Sequence, residues 1–236
     1  MWNQTKIQGV IFDMDGVLVD TSPCHSHAYA RLWESLGIQG PAYPAIAGRS
    51  TKDVVAEYAA QLTEQQQYKA VKYKQAAALK LLETANVGFN DTRKALETLQ
   101  SMGCPMAIAT SASKASADLV LQRLDIAHFF DVVITSEDVM RAKPAPDLFL
   151  AAIQALELQG ENAIILEDSR SGIEAALATG GNVVSVREAD LLPDVITSRK
   201  TYLGHFATVL DVIQKIAEHT PHHRQDSLVQ QQEGKA

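Results

Sequence analysis

Residues 7–20 read I-Q-G-V-I-F-D-M-D-G-V-L-V-D, an apolar run that stops in two aspartates one residue apart and then a glycine. A short apolar run bounded by turn residues reads as a buried strand, and open α/β sheets place ligands outside the carboxyl ends of their strands. Side chains at i and i+2 of an extended segment point the same way. Asp13 and Asp15 can therefore serve one site, and like charges that close need a cation or a proton to coexist. By itself the Asp-x-Asp-Gly pattern suits a turn as readily as a site, because Asp and Gly are also turn residues.

Further apolar runs suited to buried parallel strands follow at Met106–Ala109, Val132–Ile134, Ala163–Leu166 and Val183–Val186, each separated from the next by a stretch of helical periodicity. This alternation predicts right-handed βαβ units and a parallel sheet covered on both faces. Between Ser22 and about Phe89 the pattern changes. Apolar residues recur there at helical spacing (Ala28, Leu32, Leu36; Val54, Val55, Tyr58, Leu62) and no strand is evident. The expected fold is thus α/β, a Rossmann-like parallel sheet with an all-helical insert after its first strand. The core takes residues 1–21 and 90–219, and the insert takes 22–89. A helical block placed right after a site-bearing strand can cover that site as a lid. Gly37 and Gly40–Pro44 separate its helices, and Ser50-Thr51 caps another. Phe206–Glu218 reads as a closing amphipathic helix. From residue 220 on, the polar, Gln-rich chain reads as a disordered tail, so His219, His222 and His223 receive no role.

Composition narrows the function. Lys and Arg total 21 against 28 Asp and Glu, a net charge of −7, which argues against general affinity for nucleic acid or anionic membrane. The two cysteines, Cys24 and Cys104, make no disulfide framework or zinc cluster. With no charged leader ahead of an apolar segment and no membrane-length run, a reduced, cytoplasmic protein is expected, a monomer or weak homodimer.

Chemistry gathers at the other strand ends. Ala163–Leu166 runs into Glu167-Asp168, so two strands of one parallel sheet end in acidic pairs on the same edge. Carboxyl oxygens converging there make a hard-cation site of the kind Mg²⁺ prefers. Thr110 and Ser111 follow the strand Met106–Ala109 at the mouth of the next helix, a place suited to phosphate and equally to an ordinary cap. Lys143 lies in R-A-K-P-A-P-D, where two prolines restrict the backbone around it; an exposed loop lysine is the alternative.

Four motifs, I-F-D-M-D-G-V-L-V-D-T, M-A-I-A-T-S, R-A-K-P-A-P-D-L-F and I-I-L-E-D-S-R-S-G-I-E-A-A, occur in this order across residues 7–176. Together they resemble the haloacid dehalogenase superfamily of phosphotransferases, in the subgroup holding β-phosphoglucomutase and many small-metabolite phosphatases. The resemblance implies that Asp13 is the nucleophile, forming an aspartyl-phosphate. Asp15 becomes the general acid and base. Thr110 and the Ser111 N–H hold phosphate oxygens, and Lys143 neutralises Asp13 and the transferring group. Asp13, Asp168 and the Asp15 carbonyl bind Mg²⁺, with Glu167 as ligand or supporting partner. Asp13 is expected to stay ionised on the metal while Asp15 carries a proton. An acidic residue at Asp15 favours phosphate esters with alkoxide leaving groups over the family's ATPase and phosphonate-cleaving branches.

The helical insert resembles the family's first-type cap, in which His25 and Tyr29 take substrate-facing positions and, four residues apart, share a helix face. Arg49 directly follows Gly48, whereas the mutase carries its phosphate-binding arginine three residues after the glycine, where Thr51 stands here. Lys74 is a further anion contact by resemblance, although Lys72, Lys74 and Lys80 could equally form a solvated face. The expected function is a Mg²⁺-dependent phosphatase of a small phosphorylated metabolite such as a sugar or polyol phosphate. The alternatives are a phosphosugar mutase and a metal-binding regulatory protein without turnover.

Overall fold

A computed structural model describes residues 7–187 and 192–219. Six strands form one fully parallel sheet in the order β3-β2-β1-β4-β5-β6. They are β1 (Gly9–Phe12), β2 (Met106–Ala109), β3 (Val132–Ile134), β4 (Ala163–Glu167), β5 (Asn182–Val186) and β6 (Tyr202–Phe206). Strand β1 is buried throughout because helices cover both faces. Val10 and Phe12 pack with Leu96, Leu99 and Ile213 on one side, and Ile11 packs with Phe149 and Ile173 on the other. This alternation follows from the two-residue repeat of a strand. The sheet reverses its order of growth beside β1, which places a cleft outside the ends of β1 and β4.

The stretch between β1 and β2 supplies the helices α1 (Ser22–Leu36), α2 (Thr51–Tyr58) and α3 (Glu64–Leu82) before α4 (Thr92–Ser101) returns to the sheet. Each boundary has a local cause. Helix α1 ends where Gly37 adopts the left-handed conformation at φ 64°. Ser50 caps α2 by accepting the Asp53 N–H, and Thr63 with Gln66 forms a reciprocal capping box at α3. Tyr29, Leu32, Trp33, Val54, Val55 and Ala70 build a small core of their own, with Tyr29 and Trp33 stacked at 5.9 Å. Helices α5 (Lys114–Arg123), α6 (Asp147–Ala155), α7 (Arg170–Ala178), α8 (Asp194–Thr197) and α9 (Val209–His219) complete the described chain.

The five expected strands are present within a residue of their predicted limits. Strand β6 is an addition, and the closing helix starts at Val209 because Phe206 still pairs with Val186 in the sheet. Beyond β1, Val17, Leu18 and Val19 are also fully buried, the first two in a turn and Val19 in isolated bridges to Asp15 and Gly88. The expected tail with His222 and His223 lies outside the described residues, whereas His219 is the last residue of α9. No helix among the described residues is long and apolar enough to cross a membrane.

Two crossings join the helical cap to the sheet. Asp20 donates its N–H to the Val87 carbonyl at 2.7 Å, so the outgoing and returning chains run side by side. Arg187, at the end of β5, touches both. Its Nε donates to the Val17 carbonyl at 3.0 Å and its other guanidinium nitrogen to Asp91 at 2.9 Å, while the group lies 3.5 Å above the Phe89 ring.

Candidate active site

Asp13 leaves β1 with its N–H bonded to the Leu166 carbonyl of β4, which seats its side chain against the acidic end of that strand. Lys143 reaches the pair from the loop between β3 and α6, its ammonium 2.5 Å from Asp13 Oδ1 and 2.8 Å from Glu167 Oε1. All three side chains are buried. Burial alone would lower the lysine pKa, but the two carboxylates outweigh it and hold the ammonium strongly protonated. The second oxygen of Glu167 accepts from the Ser169 N–H at 2.6 Å and its hydroxyl at 3.0 Å. Both Glu167 oxygens are thus engaged, and this residue holds Lys143 in place. The exposed loop lysine is ruled out by this burial, since Lys143 is 1% exposed.

Asp13, Glu167 and Asp168 bring carboxylate oxygens within 4.8 Å of one another. Asp168 accepts no hydrogen bond from any described residue. Burial, followed by the charges of Glu167 and Asp13, raises its pKa well above the ordinary carboxylate value. That is the electrostatic signature of a site short of positive charge, and the all-oxygen donor set suits a hard divalent cation such as Mg²⁺. Gly16 makes room for this carboxylate: at φ +84° it occupies the left-handed region, and a Cβ there would lie 1.9 Å from Asp168 Oδ2.

Asp15 faces the cap. It accepts a hydrogen bond from the Thr21 hydroxyl, lies 3.4 Å from the Thr110 hydroxyl, and has His25 Nε2 at 3.6 Å. Behind His25 stands Lys74, its Nζ 2.9 Å from Nδ1. An ammonium offers only donors, so Nδ1 is the acceptor and the ring proton sits on Nε2, toward Asp15. Burial, helped by Lys74, lowers the His25 pKa and keeps the ring neutral. Burial also opposes the charge on Asp15, yet the bonds from His25 and Thr21 together with Lys74 prevail and its pKa falls below the ordinary value. Asp13 moves the other way, up to about 8, because burial and then the neighbouring acids outweigh Lys143. The two aspartates thus shift in opposite directions. The cause is their surroundings: Asp13 is packed among acids, while Asp15 is turned toward donors.

Asp13, Asp15, His25, Tyr29, Arg49, Lys74 and Ser111 line one cleft of about 50 Å³ between cap and sheet. Thr110 lies fully buried beneath it and accepts the Ala112 N–H at 3.0 Å. The Ser111 hydroxyl donates to the Gly48 carbonyl of the cap at 2.8 Å, leaving its backbone N–H without a partner among the described residues. The Tyr29 hydroxyl is buried without a hydrogen bond of good geometry, and burial, outweighing its contact with Thr51, pushes its pKa up to about 12. Of the three α3 lysines weighed from sequence, Lys74 is buried while Lys72 and Lys80 are exposed. Arg49 is not free, since its guanidinium contacts Glu57 at 2.6 Å.

Thr21, Ser169, Glu57 and Arg187 escaped the sequence reading. Ser169 had a signal, a Ser directly after Glu167-Asp168 and just before a helix. Glu57 and Arg187 had none, because their partners lie in other elements.

The haloacid dehalogenase-like hydrolase profile matches residues 10–186. The chain belongs to this family. Within this hydrolase family, a phosphorylated carbohydrates phosphatase of Thermotoga maritima is 33% identical over 189 residues, covering 74% of this chain and 82% of that one. A fructose-1-phosphate phosphatase of Escherichia coli is 32% identical over 188 residues, covering 77% and 97%. Among solved structures, a β-phosphoglucomutase from Clostridium difficile superposes with a TM-score of 0.76 at 21% identity, over 90% of this chain and 98% of that one. That last likeness concerns the fold, which is the haloacid dehalogenase fold with a helical cap.

Proposed function

We propose that this hydrolase is a Mg²⁺-dependent phosphatase of a small sugar or polyol phosphate, acting through an aspartyl-phosphate on Asp13. The observation that carries this reading is the division of labour between the aspartates: Asp13 is clamped by Lys143 against Glu167, whereas Asp15 is held by Thr21 and His25 on the cleft side. Asp13 and Asp168, with the Asp15 carbonyl, are the groups we assign to the cation. Glu167 supports Lys143. When bound, Mg²⁺ supplies the positive charge that lets a carboxylate approach a phosphate dianion.

A carboxylate oxygen of Asp13 attacks phosphorus as the ester P–O bond breaks, and Asp15, once it has taken up a proton against the pull of its donor neighbours, delivers that proton to the departing alkoxide. Water then attacks the aspartyl-phosphate. Asp15 takes the water proton, inorganic phosphate leaves, and the Asp13 carboxylate is restored. Lys143, the Thr110 hydroxyl and the Ser111 N–H stabilise charge on the phosphoryl oxygens throughout. His25, backed by Lys74, orients Asp15.

The relatives above 30% identity are named as phosphatases, which favours hydrolysis over the mutase alternative. The full set of buried polar contacts around Asp13 and Asp15 favours turnover over a purely regulatory role. A reduced cytoplasmic protein, monomeric or weakly dimeric, completes the proposal. Phosphomonoester hydrolysis that stops in EDTA and falls by at least about 10³-fold in Asp13→Asn is the expected result. Asp15→Ala should lose turnover yet still bind Mg²⁺ calorimetrically. Metal-loaded wild type that releases no phosphate across a broad panel of phosphorylated metabolites overturns the proposal.

A further inference from the structure

Two cavities meet at the junction of cap and sheet. One holds the active-site cleft, and the other opens past Asp168 toward α7. Among the described residues lining them, the Lys and Arg side chains are Arg49, Lys74 and Arg170. The two guanidiniums are paired with acids, and Lys74 is turned inward against the His25 ring. Arg49 contacts Glu57 at 2.6 Å, Arg170 contacts Glu174 at 3.0 Å, and Lys74 is bound to His25 at 2.9 Å, facing Asp15. The cap end of the cleft otherwise offers neutral groups. The buried Tyr29 hydroxyl lacks a hydrogen bond of good geometry, the Gln75 amide makes no hydrogen bond to a described residue, and Thr51 adds a hydroxyl.

We propose that Glu57 determines specificity: by pairing with Arg49 it withholds the cap's guanidinium from anions, so the cleft accepts monophosphates with an uncharged, hydroxylated far end and discriminates against bisphosphates. The proposal rests on the phosphatase reading and sharpens its substrate class. A second phosphate reaching Arg49 must displace the Glu57 carboxylate and then sit beside it, and the like charges repel. A sugar hydroxyl meets no such opposition and gives the Tyr29 hydroxyl a well-placed partner, a group that is costly to leave poorly paired when buried. Glu57 acts through Arg49 and touches no reacting atom. It is a positioning residue.

The test is competition against hydrolysis of p-nitrophenyl phosphate in Mg²⁺, comparing fructose 1-phosphate with fructose 1,6-bisphosphate. Wild type should bind the bisphosphate no more tightly than the monophosphate. Glu57→Gln, a change at a half-exposed position on α2, should tighten the bisphosphate relative to the monophosphate about fivefold, a shift of the size that loss of an exposed ion pair brings. Adding Arg49→Gln should erase that gain. A wild type that already prefers the bisphosphate tenfold, a ratio unmoved by Glu57→Gln, or competition by neither sugar overturns this inference alone. Absence of p-nitrophenyl phosphate hydrolysis by metal-loaded wild type overturns the phosphatase reading and the inference with it.

Discussion

Lys74 is an ammonium buried to 5% exposure whose hydrogen-bond partner is a neutral imidazole, and burial lowers its pKa to about 8 although Asp15 opposes the shift. A folded-state value below the unfolded one means that the unfolded chain binds more protons between pH 8 and about 10.5. Stability assigned to Lys74 is therefore lost as pH falls through 8 and is fully present above 10.5. Urea unfolding of wild type and Lys74→Met across pH 7–10.5 should show wild type gaining on the variant by on the order of 3 kcal/mol. Parallel curves would refute the assignment. The same variant should lose activity by about tenfold or more, since His25 then no longer presents Nε2–H firmly to Asp15. At this scale the acids and Lys143 were legible in the sequence because strand ends and prolines announce them. Glu57 was not legible, because pairing with Arg49 depends on how α2 turns relative to the loop before it.

Among the loops, the one before α2 shows how little space separates cap from sheet. Gly48 sits at φ +75°, its carbonyl receives the Ser111 hydroxyl, and a Cβ there would lie 2.2 Å from Ser169 Oγ. Gly48→Ala should push this loop away from α7 and loosen the roof over Asp15. We expect kcat/KM to fall by about tenfold with a loss of only about 1–2 kcal/mol in urea unfolding, the cost of left-handed backbone for alanine. Unchanged kinetics would show that the loop yields freely. The helices and the first five strands were readable because each strand writes a continuous apolar run, as in Ala163–Leu166, and this holds even for the edge strand β3. Strand β6 was not, since Tyr202–Phe206 is interrupted by Gly204, where its register shifts, and by a polar His205.

For the molecule as a whole, strand order explains why residues more than a hundred positions apart share one site. Parallel strands β1, β2 and β4 end on the same edge, so Asp13, Thr110 and Glu167 meet there without any local signal linking them, and the loop after β3 adds Lys143. The cap joins this edge through two neighbouring crossings, and Arg187 bonds to both and stacks on the returning one. Arg187→Met keeps much of the packing but removes both hydrogen bonds, each worth about 1.5–3 kcal/mol when charged. Hydrogen exchange should then quicken by about tenfold or more at the amides of Gly16, Val19 and Asp20 and also in residues 87–92, in step. Exchange that rises in one segment alone would contradict the coupling. With one guanidinium fastening both, the turn that carries Asp15 and the strap that carries the cap home share a single degree of freedom. A displacement of the strap is thereby transmitted to the turn that carries Asp15, the residue we propose as the proton donor.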